Sequence, residues 1–189
     1  MNPLYTLNIL TVICSSLFLA ESEITITECG SSTKSEALEL VPLRADDEAF
    51  VLEAFEAGIM ETKAAEIALK KTSTSDIKSF AEKMMKDHSK ANSELGLIAK
   101  EKRIAIPTNL PEADQSKIYE LENKNGSEFD NAYMDLMVAD HEKAVALFET
   151  QATSGQDSKL KKWAADKLPI LKHHLAMARD LAASTQKLK

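Results

Sequence analysis

The sequence is poor in the residues that interrupt helices and in those that build β-sheets. Its 189 residues include only five glycines and five prolines, and aromatic residues make up 5% of the chain. Sandwiches and barrels normally contain more aromatic and β-branched residues, whereas a scarcity of helix breakers favours helices. The sequence therefore predicts an all-α protein, and a hydrophobic content of 44% is enough for a sizeable core.

The chain also lacks an excess of basic residues. It carries 23 Lys and Arg against 30 Asp and Glu, which gives a formal net charge of −7 at pH 7. Its lysines mostly alternate with acidic residues, as they do on a solvated helix face. Because proteins that bind nucleic acids present a basic patch to the phosphates, we expect no nucleic-acid partner.

Cysteine is scarce, and both cysteines lie near the N-terminus. The apolar run from Leu7 to Ala20 is about 14 residues long, which is short for a bilayer span and typical of the core of an export signal. Residues 1–20 are therefore interpreted as a signal-peptide-like segment. A misassigned start codon and a short membrane anchor are the alternatives. Cys14 lies inside this segment, so removal of the signal would leave Cys29 unpaired in an exported protein.

Cys29 begins a small, polar stretch, CGSSTKSEA, which is similar to the start of a bacterial lipoprotein after its lipid-bearing cysteine. Two interpretations stay open, namely membrane attachment by a lipid at Cys29 or a free thiol in a flexible leader. Residues 21–44 are polar and show no periodicity, which predicts a disordered linker. We expect an exported protein in the periplasm or at the outer membrane.

Capping residues and turn signals divide residues 45–185 into four long helices and one short helix. The predicted helices run from Asp46 or Asp47 to about Lys70, from a capping Ser75 to about Lys102, over about 112–124, from Ser127 to about Thr153, and from about Asp157 to Ser184. Pro107 and Pro111 predict a loop before the short helix. Because two of the turns are short, we predict an antiparallel four-helix bundle with the extra helix between long helices two and three.

Each long helix carries an apolar stripe at three-four spacing that one ionisable residue interrupts. These residues are Glu61, His88, His141 and His174. All four lie about 13 to 17 positions after the predicted helix starts, so in an antiparallel bundle they share one level within about 6 Å. The neighbouring His173 lies about 100° around the helix from His174 and is predicted at the rim or surface.

Ionisable groups inside a core need partners, because burying them unpaired is costly. Three imidazoles and a carboxylate are a suitable ligand set for one transition metal ion, namely zinc, copper or iron. The alternative is a hydrogen-bonded polar layer that fixes the helix register without any metal.

A motif that occurs twice supports a special role for two of these histidines. It reads Phe80-x3-Met84-x2-Asp87-His88 and Tyr133-x3-Met137-x2-Asp140-His141. Asp87 and Asp140 are interpreted either as second carboxylates that hydrogen-bond a histidine ring on a neighbouring helix or as surface residues. Met84 and Met137 are either soft thioether ligands, which would suit Cu(I), or ordinary core residues.

The segments around these residues resemble a widespread bacterial family known as domain of unknown function 4142, often labelled predicted outer membrane protein. The matching segments are FVLEAFEAGIMETKAAEIAL, FAEKMMKDHSKANSEL, IPTNLP, GSEFDNAYMDLMVADHEKAVALFE and KLPILKHHLAMA, within about residues 46–182. The resemblance implies a ferritin-like bundle in an exported protein and no established reaction.

A ferroxidase is disfavoured within that resemblance. Di-iron bundles carry Glu-x-x-His on two helices. The positions three before His88, His141 and His174 are Met85, Val138 and Leu171. No carboxylate is therefore available for a second iron.

Three functions are compatible with the sequence. The first is a binding or stress-related protein of the cell envelope, not an enzyme, that holds one transition metal ion in its polar core. The second is a metal-dependent oxidoreductase of the envelope, which needs an open coordination position. The third is a purely structural or partner-binding bundle.

Overall fold

All regular structure in the described part of the chain is helical. The structure is a computed structural model and describes residues 43–186. The helices are α1 (Ala45–Lys71), α2 (Ser75–Glu101), α3 (Glu112–Glu122), α4 (Gly126–Ser154) and α5 (Ser158–Gln186). The all-α prediction is confirmed, and the predicted helix bounds agree with these within two residues. The signal-like segment 1–20, Cys29 and residues 21–42 of the predicted linker lie outside the described residues.

Local chemistry explains where the helices begin. The first turn of α1 is acidic and its last turn is basic, which matches the helix dipole at both ends. Asp157 caps α5, because its Oδ1 accepts the backbone N–H groups of Lys159 at 3.1 Å and Leu160 at 2.9 Å. Gly126 opens α4 at φ 54°, a left-handed conformation that glycine adopts without strain.

The prediction that Ser75 caps α2 is wrong. Ser75 is the first residue of the helix, and Thr74 occupies the cap position without a side-chain bond to the helix. The Thr74 hydroxyl instead donates to Asp130 Oδ2 on α4 at 2.7 Å. A contact between helices has replaced the local cap.

The apolar residues of the long helices form two separate cores. The first core joins the C-terminal half of α1 to the N-terminal halves of α2 and α4, and it contains Phe80, Phe129 and Tyr133. The second core joins the N-terminal half of α1 to the C-terminal halves of α2 and α4, around Phe50 and Phe148. Opposite halves therefore pair between α1 and α2, so these neighbours run antiparallel. His88, His141 and His174 fall in the sequence gaps between the two cores, and Glu61 directly follows Met60 of the first core.

Small residues let α1 and α2 approach closely at this level. A Cβ atom added to Gly58 would lie 2.2 Å from Asn92 Oδ1, so no side chain fits there without displacing Asn92. Beyond this pair, α4 packs along α5, α1 along α4, and α2 along α5, while α3 contacts α1 and α4. Within residues 43–186, no helix combines the length and apolar character needed to cross a membrane.

Candidate metal centre

The four side chains predicted to share one level do meet inside the protein. Glu61 comes from α1, His88 from α2, His141 from α4 and His174 from α5, and their exposed fractions are 1%, 6%, 0% and 1%. The three imidazole ring centroids are 5.4, 5.4 and 5.5 Å apart, which is close to an equilateral triangle. We call these four residues the polar layer.

Each histidine of the layer has one ring nitrogen held by an acceptor. His88 Nδ1 lies 2.9 Å from Glu61 Oε2. His141 Nδ1 lies 2.9 Å from the Met137 carbonyl oxygen, and His174 Nε2 lies 3.0 Å from Asp87 Oδ2. A neutral imidazole that donates from one nitrogen carries a lone pair on the other. The acceptors therefore fix which nitrogen of each ring is free to bind a ligand.

The three remaining nitrogens are buried without a partner. His88 Nε2, His141 Nε2 and His174 Nδ1 have no hydrogen-bond partner among the described residues. One ring nitrogen of each histidine lies within 4.8 Å of those of the other two. Lone pairs cannot bond one another, and each unsatisfied buried group costs about 1–3 kcal/mol. A cation at the centre of the triangle would satisfy all three.

Glu61 lies on the other edge of two of these rings. Its Oε1 is 3.3 Å from His141 Nδ1, whose proton the Met137 carbonyl accepts, and its Oε2 accepts from His88. Burial raises the pKa of Glu61, but His88 and His141 outweigh burial and lower it to about 2. Glu61 is thus an ionised carboxylate that orients imidazoles, as carboxylates around metal sites do. Its role as a fourth ligand stays a prediction.

The protonation of the histidines differs around the layer. Burial and the nearby His88 lower the pKa of His174 to about 4, although Asp87 acts in the opposite direction. Burial also lowers the pKa of His88, but Glu61 more than compensates and the net shift is upward. His174 is therefore neutral near pH 7, as a metal ligand must be.

The two aspartates of the repeated motif behave differently. Asp87 makes the cross-helix hydrogen bond that the sequence predicts, and Lys83 Nζ holds the same oxygen at 2.9 Å. The interpretation of Asp140 as a second carboxylate on a histidine is wrong. Its Oδ1 lies 3.6 Å from Lys117 Nζ and 3.5 Å from Lys143 Nζ. Asp140 contacts lysines instead of a histidine because the neighbouring helix α3 places Lys117 beside it.

Met84 and Met137 are both fully buried members of the first core. This placement is what ordinary core methionines show, and a thioether ligand at either position stays a prediction. His173 is exposed, as predicted. The sequence interpretation did not identify the Met137 carbonyl or Lys83 as partners of the layer. The four-residue spacing of Lys83 and Asp87 on one helix could have indicated the role of Lys83.

A cavity of about 120 Å³ reaches the polar layer from the surface. Glu61, Asp87, His88 and His174 are among the residues that line it. The lining also includes small residues of α1 and α2 and two lysines, Lys90 and Lys167. No property of a single helix predicts this space, since it depends on how the helices pack.

Solved structures support the helical fold. A crystal structure of a DUF305 fragment from Deinococcus radiodurans is similar at a TM-score of 0.67 and 10% identity, over 76% of this chain and 99% of that chain. CopM in the Cu(I)-bound form is similar at a TM-score of 0.62 and 16% identity, over 73% of this chain and 96% of that chain. At these identities the likeness is one of fold.

No curated protein matches the sequence. The family described as "Domain of unknown function (DUF4142)" matches residues 32–181, which is most of the chain. The match covers all five helices except the last residues of α5, and it includes every residue of the polar layer. The chain therefore belongs to the DUF4142 family.

Proposed function

We propose that this protein is a non-enzymatic protein of the cell envelope that binds one transition metal ion through His88 Nε2, His141 Nε2 and His174 Nδ1. One observation carries the proposal. Three buried histidines bring one ring nitrogen each within 4.8 Å of the others, and each ring has one nitrogen without a partner among residues 43–186 while an acceptor holds the opposite nitrogen. A layer that served only for packing would have its polar atoms bonded to each other.

We propose copper as the bound metal. Neutral imidazoles suit zinc, copper, iron and nickel, and among divalent ions such sites bind Cu²⁺ most tightly. The similar fold of CopM in its Cu(I)-bound form agrees with this choice. Glu61 and Asp87 contribute two negative charges beside the imidazoles, which compensate the charge of a cation. Zinc and iron are the other candidates that the titration below separates.

We further propose a ferritin-like antiparallel four-helix bundle and an envelope location. The pairing of opposite helix halves in the two cores supports the bundle. The apolar run Leu7–Ala20 and the polar stretch after Cys29 support export, with a lipid at Cys29 as the means of attachment. Mass spectrometry of the protein isolated from membranes would show the lipid. An unmodified Cys29 in the mature chain would exclude that attachment.

Metal titration of the full chain tests the proposed function. Isothermal titration with Cu²⁺, Zn²⁺ and Fe²⁺ is expected to show one site, with Cu²⁺ bound most tightly. The His88→Ala, His141→Ala and His174→Ala variants are each expected to lose at least 100-fold in affinity, because each removes a ligand. The exposed His173→Ala variant is the matched control and is expected to bind like the wild type. Absence of binding, or equal affinity in the His174→Ala and His173→Ala variants, would overturn the proposal.

A metal-dependent oxidoreductase is the second candidate, because the cavity gives a reactant a route to the layer. Metal-dependent turnover of peroxide or ferrous iron that disappears in the His174→Ala variant would favour it over a binding protein. A purely structural bundle would instead bind no metal at this layer.

A further inference from the structure

The cavity beside the polar layer exists because its walls carry small side chains. Ala54 and Gly58 of α1 and Ala91 of α2 line it, and Phe148 and Leu171 form apolar wall opposite them. A side chain at Gly58 would displace the Asn92 side chain, which lies where its Cβ would be. These small residues therefore leave the space beside the layer histidines.

The cavity reaches two of the three histidines. His88 and His174 line it, whereas His141 has no exposed surface and lies on the closed side of the layer. Three nitrogen ligands would leave at least one coordination position of a copper ion open. A ligand that entered through the cavity would arrive beside His88 and His174, where that position is accessible.

The size of the cavity restricts the ligand. Its volume is about 120 Å³. One water molecule needs roughly 10–15 Å³ of such space, so the cavity holds about ten water-sized groups and a small inorganic anion fits in it.

The charges around the cavity restrict the ligand further. Two lysines, Lys90 and Lys167, and two carboxylates, Glu61 and Asp87, line it, so these formal charges cancel. Lys90 is exposed, Lys167 is paired with Glu94, and both carboxylates are engaged by histidines of the layer. A bound metal cation adds positive charge to this balance. An anion is therefore attracted by Lys90 and by the metal.

We propose that this cavity admits a small inorganic monoanion to the open coordination position of the metal, a step that rests on the proposed metal site. The anion enters past Lys90 and Lys167 and binds the metal beside His88 and His174. Ala91, one helical turn after His88, leaves the space through which it passes. The centre thereby accepts an exogenous ligand instead of enclosing its metal completely.

Azide is a suitable probe, because it is a monoanion of three atoms and its binding to Cu(II) produces a charge-transfer absorption band. The full-length Cu(II)-loaded protein is titrated with sodium azide. The Ala91→Leu variant fills the cavity and is expected to keep its copper while its azide affinity falls at least tenfold. Alanine and leucine have similar helix propensities, so the helix is retained. The control is Ala176→Leu on an exposed face of α5, which is expected to bind azide like the wild type.

A charge variant tests the entrance without altering the packing. Lys90→Glu is expected to weaken azide binding several-fold at low ionic strength, and salt should reduce the difference. Lys78→Glu, an exposed change in the same helix away from the cavity, is the control and should not alter the affinity.

The outcomes separate the two proposals. Copper binding without an azide band in the wild type, or an unchanged azide affinity in both Ala91→Leu and Lys90→Glu, overturns the cavity proposal and leaves the metal site intact. Failure of the wild type to bind copper, zinc or iron overturns the metal site and the cavity proposal together.

Discussion

Among the described residues, the polar layer and a second cluster of buried polar residues differ in how many of their atoms are hydrogen-bonded. At one end of α1, Asp47 is 2% exposed and Gln151 is 5% exposed. Asp47 Oδ1 accepts from Gln151 Nε2 at 2.7 Å and from the Gln156 backbone at 3.2 Å, while its Oδ2 accepts from the Asp157 backbone at 3.0 Å. This cluster ties the turn between α4 and α5 to the start of α1.

The polar layer is equally buried but incompletely bonded. Glu61 Oε1 and one nitrogen of each layer histidine are buried without a partner within the described ranges, whereas no fully buried side-chain atom of Asp47 or Gln151 is. A fully bonded cluster stabilises the fold by itself. A cluster with convergent free acceptors destabilises the fold until a ligand binds. Burial of polar residues alone therefore does not identify a site, but unsatisfied and convergent atoms do.

Metal binding at the polar layer should produce the largest change in stability. Free copper at about 1,000 times its Kd is expected to raise the free energy of unfolding by about 4 kcal/mol, because the metal binds only the folded site. The Asp47→Ala variant should show the same gain, and the His174→Ala variant, whose affinity is at least 100-fold lower, should gain at most about 1.4 kcal/mol. Denaturant titration with and without copper measures both gains. Similar gains in the two variants would mean that copper acts elsewhere.

Removing Asp47 should have the next largest effect. Asp47→Ala leaves the Gln151 amide and two backbone N–H groups without their acceptor, so we expect a loss of about 3 kcal/mol with or without copper. Urea unfolding provides the measurement, and the exposed neighbour Asp46 provides the control. Asp46→Ala should change stability by less than about 0.5 kcal/mol. A loss that copper reverses would contradict a purely structural role.

The pH dependence of the metal-free protein should reveal His174. Its pKa is about 4 when folded against 6.5 for an ordinary histidine, so between these values the unfolded chain binds a proton that the folded protein does not. Stability is therefore lost as the pH falls from 6.5 to 4, by about 2 kcal/mol from this residue. His88 acts in the opposite direction, since its pKa is raised and its contribution is lost as the pH rises.

A comparison of variants isolates the His174 contribution. Wild type should lose about 2 kcal/mol more than His174→Gln over this pH range, because glutamine does not titrate. The exposed His173→Gln variant should follow the wild type. Urea unfolding at pH 6.5 and pH 4 gives these differences, and parallel curves for wild type and His174→Gln would refute the assignment.

Substitutions of the aspartates in the repeated motif should have the smallest effect, a change in copper affinity. Asp87→Asn weakens the acceptor that holds His174 Nε2, so copper affinity is expected to fall about tenfold, which corresponds to about 1.4 kcal/mol. Asp140→Asn changes the same motif position on α4 without touching a layer histidine, and it should leave the affinity unchanged. Equal losses in the two variants, measured by competition with a chelator, would remove the distinction between them.

Periodicity predicted the helices and the layer, because both depend on spacing along one helix. The spacing of Glu61, His88, His141 and His174 within their stripes was enough to place them at one level. The roles of Asp87 and Asp140 could not be predicted, since both precede a histidine in the same motif. They differ only in which helix lies beside them, α5 for Asp87 and α3 for Asp140.

The hydrogen-bonded cluster of Asp47 and Gln151 could not be predicted for a similar reason. Asp47 and Gln151 are 104 residues apart, and the sequence shows Asp47 only as an acidic residue at a helix start. The free nitrogens of the histidines depend on Glu61, Asp87 and the Met137 carbonyl, which belong to three different helices. Periodicity along a single helix does not contain that information.

X-ray absorption spectroscopy of the copper-loaded full-length protein tests the metal centre most directly. Three imidazole ligands at about 2.0 Å are expected, with scattering from one ring lost in His174→Ala and none lost in His173→Ala. A spectrum dominated by sulfur, or one that is identical in wild type and His174→Ala, would contradict the three-histidine centre.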